Sequence, residues 1–155
     1  MAATTTAFKS LVKRLKNDFP SIIFAPGDDF HWSAAQNTVF YPDSDIEYAP
    51  QLLHEAAHGA LGHSTYSRDL DLLKLEREAW NKASELAKHY DVDMSDDTIE
   101  DSLDTYREWL HARSTCPTCG KTGVQVSPST YNCVACLERC RTNYSCTFCL
   151  RRTKI

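Results

Sequence analysis

The chain has 155 residues, of which 42% are hydrophobic and 25% are charged, and its formal net charge is −4. This length accommodates one ordinary domain, or a compact domain with a small appendage. No stretch reaches the ~18 consecutive apolar residues of a membrane-spanning helix, and the N-terminus lacks the apolar core of a secretory signal peptide. We therefore expect a cytoplasmic protein with no membrane partner.

The two ends of the chain differ in charge and in cysteine content. All seven cysteines lie between Cys116 and Cys149. Residues 1–113 carry 11 basic and 20 acidic side chains, whereas residues 114–155 carry six basic and one acidic. An odd number of clustered cysteines in a reducing compartment indicates metal ligation rather than disulfides. We therefore predict an acidic domain over residues 1–113 and a basic, cysteine-rich module over residues 114–155.

Hydrophobic periodicity predicts an α+β arrangement for the first domain, with helices packed on a short sheet. Apolar residues at helical spacing indicate a first helix over residues 7–18, which Pro20 ends. Two short strands are expected next, within residues 21–32 and over residues 37–42. The remaining elements follow in chain order: a helix from Pro50 to about Gly62, a helix over residues 69–90, a helix from Ser95 or Asp96 to about Arg113, and short strand-like pieces beyond Ser114.

The helix that starts at Pro50 contains the sequence HEAAH. His54 and His58 are four residues apart, so they project from the same helix face and can bind one metal ion. Glu55 lies about 100° around the helix, where it can reach a metal-bound water without binding the metal. Two imidazoles with a carboxylate and an open water position are typical of a catalytic zinc site. The pattern predicts Glu55 as general base and acid for a zinc-activated water.

The third ligand must come from outside this helix turn. In a continuous helix His63 would point about 140° away from His58, so we expect it at the helix C-terminus and not on the metal. Glu76 and Glu78 on the following helix are the alternatives. Glu76 falls within an apolar stripe, whereas Glu78 falls on the solvated face, where Lys82 can pair with it. Helix phase therefore favours Glu76 as the third ligand.

The combination of HEAAH with the later EREAW resembles the Glu-zincin metallopeptidases. It is most similar to their minimal members and to ImmA/IrrE-type proteins, whose motif is HExxH followed by ExxA, over about residues 20–90. The resemblance implies His54, His58 and Glu76 as zinc ligands, Glu55 as base, and a protein or peptide substrate. In such proteins an edge strand before the active helix aligns the substrate backbone. Residues 37–42 are the candidate strand, with plain sheet core as the alternative.

The cysteine-rich module contains two CxxC pairs separated by 13 residues. Such pairs form tight turns whose four thiolates suit a tetrahedral structural zinc, in the manner of a zinc ribbon. So short a segment has too little apolar material to fold unaided, so we expect the metal to form its core. The predicted ligands are Cys116, Cys119, Cys133 and Cys136.

Three further cysteines follow the second pair. Cys140, Cys146 and Cys149 could supply three ligands of a second structural zinc site, or they could be free. No fourth protein ligand is obvious near them, so both alternatives stay open.

The basic residues of the tail suggest a second kind of partner. Arg139, Arg141, Arg151 and Arg152, with aromatic residues such as Tyr131 nearby, suit phosphate contacts and base stacking. Zinc ribbons also serve as protein-docking modules. A HExxH domain followed by a zinc module resembles the architecture of SprT-like proteins. The sequence thus predicts a zinc metalloendopeptidase with a docking ribbon, and the alternative is a non-catalytic zinc-stabilised adaptor that binds nucleic acid or protein.

Overall fold

The structure, a computed structural model, describes residues 2–42, 48–143 and 152–154, with side chains for residues 6–42 and 48–143. Four helices and two small sheets form within these residues, so the fold is α+β as predicted; the zincin-like arrangement stays a prediction. The elements are α1 (Ala2–Asp18), β1 (Ile23–Gly27), β2 (His31–Ser33), β3 (Thr38–Pro42), α2 (Ala49–Leu61), α3 (Asp69–Tyr90), α4 (Asp96–Ser114), β4 (Gly123–Ser127), β5 (Thr130–Cys133), β6 (Arg139–Thr142) and β7 (Arg152–Lys154).

The chain divides into two compact units. Unit 1 comprises Met1–Thr65 and Leu75–Ile99, and unit 2 comprises Tyr66–Lys74 and Glu100–Ile155. Unit 2 therefore contains the cysteine-rich segment together with the first residues of α3 and most of α4. The sequence predicted a boundary near Ser114 between two domains that fold independently. The division into compact units does not test independent folding, so this boundary stays a prediction.

The sheet of unit 1 has the strand order β1-β3-β2. β3 pairs in parallel with β1, from Ile23 opposite Thr38 onward, and it pairs antiparallel with β2, where Trp32 lies opposite Val39. The segment expected as one strand within residues 21–32 is thus two strands. β3 is central, so from Thr38 to Phe40 its backbone is already paired on both sides. The assignment of residues 37–42 as an edge strand for substrate is therefore wrong, and the sheet-core alternative is correct.

The helices of unit 1 bury apolar stripes at the predicted spacing. In α1 the buried positions follow the helical repeat. The second half of α3 buries Ala79, Ala83 and Ala87 beside the large aromatic Trp80, which is 1% exposed. The buried apolar residues are Phe8, Leu11, Val12, Leu15, Ile22, Phe24, Val39, Leu52, Leu53, Ala56, Ala57, Ala79, Trp80, Ala83, Leu86, Ala87 and Tyr90.

The last predicted helix begins with a capping residue. The Ser95 hydroxyl accepts a hydrogen bond from the Thr98 backbone N–H at 3.1 Å, which identifies Ser95 as the N-cap of α4.

Within the described residues no helix combines the length and the apolar character that crossing a bilayer requires.

The sheet of unit 2 is antiparallel, with the order β4-β5-β6-β7. The register between β4 and β5 shifts between Gln125 and Ser127, which marks a β-bulge. Along β6, buried Cys140 and Thr142 alternate with exposed Arg139 and Arg141. β6 thus has one buried side and one side that presents basic side chains.

Candidate metal centres

Helix α2 places three of the predicted site residues in the interior of unit 1. Pro50 lies in the first turn, where its missing N–H costs no helical hydrogen bond. The helix ends at Gly62, which adopts the left-handed conformation with φ of 68°. His54, Glu55 and His58 are all buried between these ends.

The ligand atoms of His54, His58 and Glu76 converge. All three residues offer a ligand atom, and these atoms lie within 4.8 Å of one another. The Nε2 atoms of His54 and His58 are 3.2 Å apart. Glu76 places one oxygen 3.0 Å from His54 Nε2 and the other 3.4 Å from His58 Nε2. We call this set the histidine–glutamate group, and its geometry could hold a metal ion.

The buried polar atoms of this group are suited to a bound cation. Glu76 Oε2 is buried and has no hydrogen-bond partner in the described structure, although His54 Nε2 lies 3.0 Å away. Burial raises the pKa of Glu76, but the imidazoles of His54 and His58 outweigh this effect and lower it to about 2. The two imidazoles therefore favour the ionised carboxylate in this buried position, and a bound cation could take over that role.

Glu55 is held by hydrogen bonds to both of its oxygens. Oε2 accepts from the Trp32 backbone N–H at 2.8 Å, and Oε1 accepts from Gln51 Nε2 at 2.8 Å. Burial raises the pKa of Glu55, against the lowering effects of His54, His58 and Gln51. Each oxygen still has a second lone pair, so the carboxylate can accept a proton.

His63 contacts His58 through the ring nitrogen that does not face Glu76. Its Nδ1 lies 2.8 Å from His58 Nδ1, on the opposite side of that ring from the histidine–glutamate group. Its Nε2 lies 3.3 Å from Glu78 Oε2. Burial and then His58 lower the pKa of His63. His63 and Glu78 are thus outside the set of converging ligand atoms, and Glu78 interacts with His63 instead of forming the expected pair with Lys82, which binds Glu85 at 2.9 Å.

Two tryptophans that the sequence did not single out as site residues shape the group. Trp80 stacks on the His54 ring, with centroids 4.1 Å apart. Trp32 donates its backbone N–H to Glu55 and its indole N–H to the His63 carbonyl. Trp80 could have been suspected from sequence, because it is one helical turn after Glu76 on the same face. Trp32 could not, because its role depends on strand pairing.

The four cysteines of the two CxxC pairs also converge, in unit 2. Cys116 Sγ is 3.6 Å from Cys136 Sγ, and Cys119 Sγ is 3.5 Å from Cys133 Sγ. A tetrahedral zinc with Zn–S bonds of about 2.3 Å requires S–S separations of about 3.8 Å. We call this set the four-cysteine group, and it could hold a metal ion.

The two cysteine turns have the same backbone design. The first cysteine of each pair donates its N–H five residues onward, Cys116 to the Lys121 carbonyl and Cys133 to the Glu138 carbonyl. The fourth residue after each of these cysteines has a positive φ, 70° at Gly120 and 61° at Leu137. The turns also aim backbone N–H groups at the sulfur atoms.

These N–H groups change the acidity of the thiols. The N–H groups of Cys119 and Thr118 lower the pKa of Cys116 to about 6. Those of Cys136 and Ala135 lower the pKa of Cys133. At Cys116 and Cys133 the lowered pKa favours the thiolate, which is the form that binds metal, whereas at Cys136 the lowering effect of the Glu138 N–H is outweighed by burial and the neighbouring thiols, which raise the pKa.

The remaining tail residues are only partly within the described structure. Cys140 is buried beside Cys116 and Cys133 in one cluster. Cys146, Cys149 and Arg151 lie outside the described residues, as does the Arg152 side chain, so the second structural site stays a prediction. Arg139 and Arg141 are exposed on β6. Tyr131 is 5% exposed, so the expectation that it stacks on bases is wrong.

Tyr131 belongs to a buried cluster that the sequence did not predict. Its hydroxyl donates to Asp69 Oδ2 at 2.6 Å, and Arg113 Nε donates to the same oxygen at 2.6 Å. Arg113 also donates to the Asn143 carbonyl and packs its guanidinium over Trp109. We call Asp69, Arg113 and Tyr131 the Asp69 cluster. It joins the start of α3, the end of α4 and β5 within unit 2.

Comparisons with protein-family models, with curated proteins and with solved structures find no significant match.

Proposed function

We propose that the protein is a zinc-dependent metallopeptidase whose active centre is the histidine–glutamate group with Glu55. The supporting observation is the convergence of two imidazole nitrogens and one carboxylate oxygen within 4.8 Å, next to a second buried carboxylate. Three protein ligands of this kind leave one coordination position for water, which distinguishes catalytic from structural zinc sites. The resemblance of HEAAH and EREAW to the Glu-zincin motif adds support.

The donor set suits zinc in particular. Zinc binds imidazole nitrogen and carboxylate oxygen at about 2.0–2.2 Å in tetrahedral sites, whereas calcium and magnesium prefer oxygen ligands alone. When bound, zinc lowers the pKa of its water and polarises the carbonyl of a peptide substrate.

Glu55 supplies the proton transfer in this proposal. Burial raises its pKa, so it is a stronger base than an exposed glutamate. The hydrogen bonds from Trp32 and Gln51 fix the carboxylate, so that little reorganisation precedes the transfer. The proton taken from water then passes to the leaving amine.

The test compares the wild type with Glu55→Gln on denatured casein and on a mixture of fluorogenic peptides. The glutamine retains an oxygen for the Trp32 N–H but has no basic lone pair of comparable strength. We expect normal zinc content by mass spectrometry and a loss of cleavage of at least about 100-fold. Glu85→Gln, an exposed change on α3, is the matched control and should retain activity. Unchanged cleavage by Glu55→Gln contradicts the proposal.

A second candidate function has one observation in its favour. The contact from Trp32 N–H to Glu55 ties β2 to α2, so Glu55 also has a structural task. The alternative is a non-catalytic adaptor in which the metal of the histidine–glutamate group only stabilises unit 1. It predicts that zinc raises the melting temperature while no tested peptide is cleaved, and that Glu55→Gln lowers the melting temperature.

For the cysteine-rich segment we propose a structural zinc in the four-cysteine group and docking on nucleic acid or protein. Arg139 and Arg141 project from the exposed face of β6 in this basic segment, as phosphate contacts would require. Replacing both with glutamine should weaken binding of a labelled DNA oligonucleotide and flatten its salt dependence. Lys121→Gln is the exposed control. Point variants are preferable to deleting residues 114–155, because the deletion would remove Tyr131 from the buried cluster that it forms with Asp69 and Arg113.

A further inference from the structure

A chain of close contacts leads away from the metal side of His58. His58 Nδ1 lies 2.8 Å from His63 Nδ1, and His63 Nε2 lies 3.3 Å from Glu78 Oε2. His63 is 9% exposed, whereas the Glu78 side chain is 61% exposed. The chain therefore connects a buried ligand to a carboxylate at the surface of unit 1.

The metal side of His58 at one end of this chain and the Glu78 carboxylate at the other end allow only one arrangement of the protons on the two imidazole rings. His58 turns Nε2 toward His54 and Glu76, so a metal bound there requires Nε2 without a proton. A neutral His58 then carries its proton on Nδ1 and donates it to His63 Nδ1. His63 in turn carries its proton on Nε2 and donates it to the Glu78 carboxylate, which can only accept. Each ring is thus in a single tautomer.

The backbone around His63 is fixed as well. Gly62 is left-handed, with φ of 68°, and this turns the chain back toward the helix so that the His63 N–H donates to the His58 carbonyl at 3.0 Å. The His63 carbonyl accepts the Trp32 indole N–H at 2.8 Å. Because its backbone N–H and carbonyl are both hydrogen-bonded, the backbone of His63 is held next to His58.

We propose that His63 is a positioning residue for His58, and that Glu78 is the acceptor that fixes the tautomer of His63. This inference rests on the proposed metal site. Such outer partners orient the ligand ring and raise its basicity, and their loss costs about 10–100-fold in metal affinity in comparable sites. The other ligand, His54, is held differently, because its Nδ1 has no partner in the described structure and its ring stacks on Trp80.

The experiment uses the full chain and Zn²⁺ alone, with affinity measured by competition against a chromophoric chelator. His63→Leu and Glu78→Leu each remove a link of the chain, and we expect both to weaken zinc at the histidine–glutamate group by about 10–100-fold. Glu78→Gln keeps an acceptor oxygen and should stay within about threefold of the wild type. Glu85→Leu is the matched control on the same helix. Glu78 is largely exposed, so its variants test the chain even if His63→Leu fails to fold.

Nitrogen-15 NMR of the zinc-loaded protein reports which ring nitrogen of His58 and of His63 carries the proton. A purely structural role of His63 and Glu78 would leave these tautomers unchanged in the variants. In the wild type and in Glu78→Gln, His58 should carry its proton on Nδ1 and His63 on Nε2, whereas Glu78→Leu should no longer hold His63 in that single tautomer. Wild-type affinity in both leucine variants overturns the inference while leaving the proposed function intact. A loss in His63→Leu as large as in Glu76→Gln also overturns it, because His63 would then be a ligand. Absence of zinc at the histidine–glutamate group of the wild type refutes the proposed function itself.

Discussion

Each unit of the molecule buries a carboxylate and gathers residues that could hold a metal, but the two units arrange these features differently. In unit 2 the buried Asp69 is matched by Arg113 and Tyr131, and the residues that could hold a metal are four separate cysteines. In unit 1 the buried Glu76 has an oxygen without a hydrogen-bond partner, and it is itself part of the ligand set.

This difference gives the two buried carboxylates different expected roles. A buried carboxylate that already has a cation and a hydroxyl as partners needs nothing further. One whose neighbours are imidazoles, and whose oxygen lacks a hydrogen bond, is suited to a bound cation. Accordingly, we expect Asp69 to contribute to folding stability and Glu76 to contribute to metal affinity, and this contrast can be tested directly.

The largest effect is expected from the four-cysteine group. Cys133→Ala should remove one zinc equivalent and unfold the sheet of unit 2, because zinc binding to such sites supplies about 10 kcal/mol or more of folding free energy. Mass spectrometry of the native protein and hydrogen exchange of residues 115–142 measure both. Cys140→Ala, at a buried cysteine outside the group, is the control and should retain the zinc. A full zinc complement in Cys133→Ala would exclude the assignment of these four thiols as ligands.

The next largest effect concerns the Asp69 cluster. Asp69→Asn leaves the Arg113 guanidinium buried without its counter-charge, which costs about 3–5 kcal/mol. Urea unfolding of the zinc-loaded protein should reveal this loss. Asp71→Asn, two residues away and in ion pairs with the exposed side chains of Arg68 and Lys74, should change stability by less than about 0.5 kcal/mol. Equal effects of the two variants would remove the contrast between the buried carboxylates.

Glu76→Gln should differ from Asp69→Asn by its effect on zinc affinity. We expect zinc affinity at the histidine–glutamate group to fall by more than ~100-fold, beyond the range for outer partners, because a ligand is lost. Without metal the free energy of unfolding should also decrease, because the imidazoles of His54 and His58 stabilise the ionised Glu76 and the glutamine has no charge, so zinc affinity is the deciding measurement. Glu78→Gln is the matched control and should retain zinc, which also decides between the two glutamates. A large loss of metal-free stability with unchanged zinc affinity would contradict the assignment.

The smallest effect is expected from Tyr131→Phe. Asp69 keeps its contact with Arg113 in this variant, so the loss is that of one hydrogen bond, about 1 kcal/mol. Denaturant unfolding at neutral pH measures it. A loss as large as that of Asp69→Asn would indicate that the hydroxyl, and not the guanidinium, compensates the carboxylate.

The same tyrosine gives an alkaline pH dependence. Burial, and then the Asp69 carboxylate, raise the pKa of Tyr131 above its ordinary value of 10.0. The neutral form is therefore favoured in the folded state, and its contribution to stability is fully present below about pH 10 and lost as the pH rises further. Tyr131→Phe should lack this part of the alkaline loss. Identical alkaline unfolding profiles of variant and wild type would exclude the effect.

Local patterns in the sequence predicted the elements that carry both groups. The helical repeat located α2 and α3, the apolar stripe of α3 favoured Glu76 over Glu78, and the cysteine spacing grouped the four thiols. These properties depend on residues a few positions apart, so they can be derived from a single sequence.

Features that depend on tertiary structure could not be derived in this way. β3 was expected at an edge, yet strand order follows from pairing with segments far apart in sequence. Tyr131 was expected on the surface, although its burial depends on Asp69, 62 residues earlier. His63 was placed correctly at the end of α2, but its contact with His58 depends on the left-handed conformation of Gly62.

Trp32 offers a spectroscopic handle on unit 1. Its backbone N–H is bonded to Glu55 and its indole N–H to the His63 carbonyl. The two proton resonances of this one residue therefore monitor Glu55 and His63 separately. Titrating zinc while following both signals would reveal whether the two respond together or in sequence, without any substitution or label near the metal ligands.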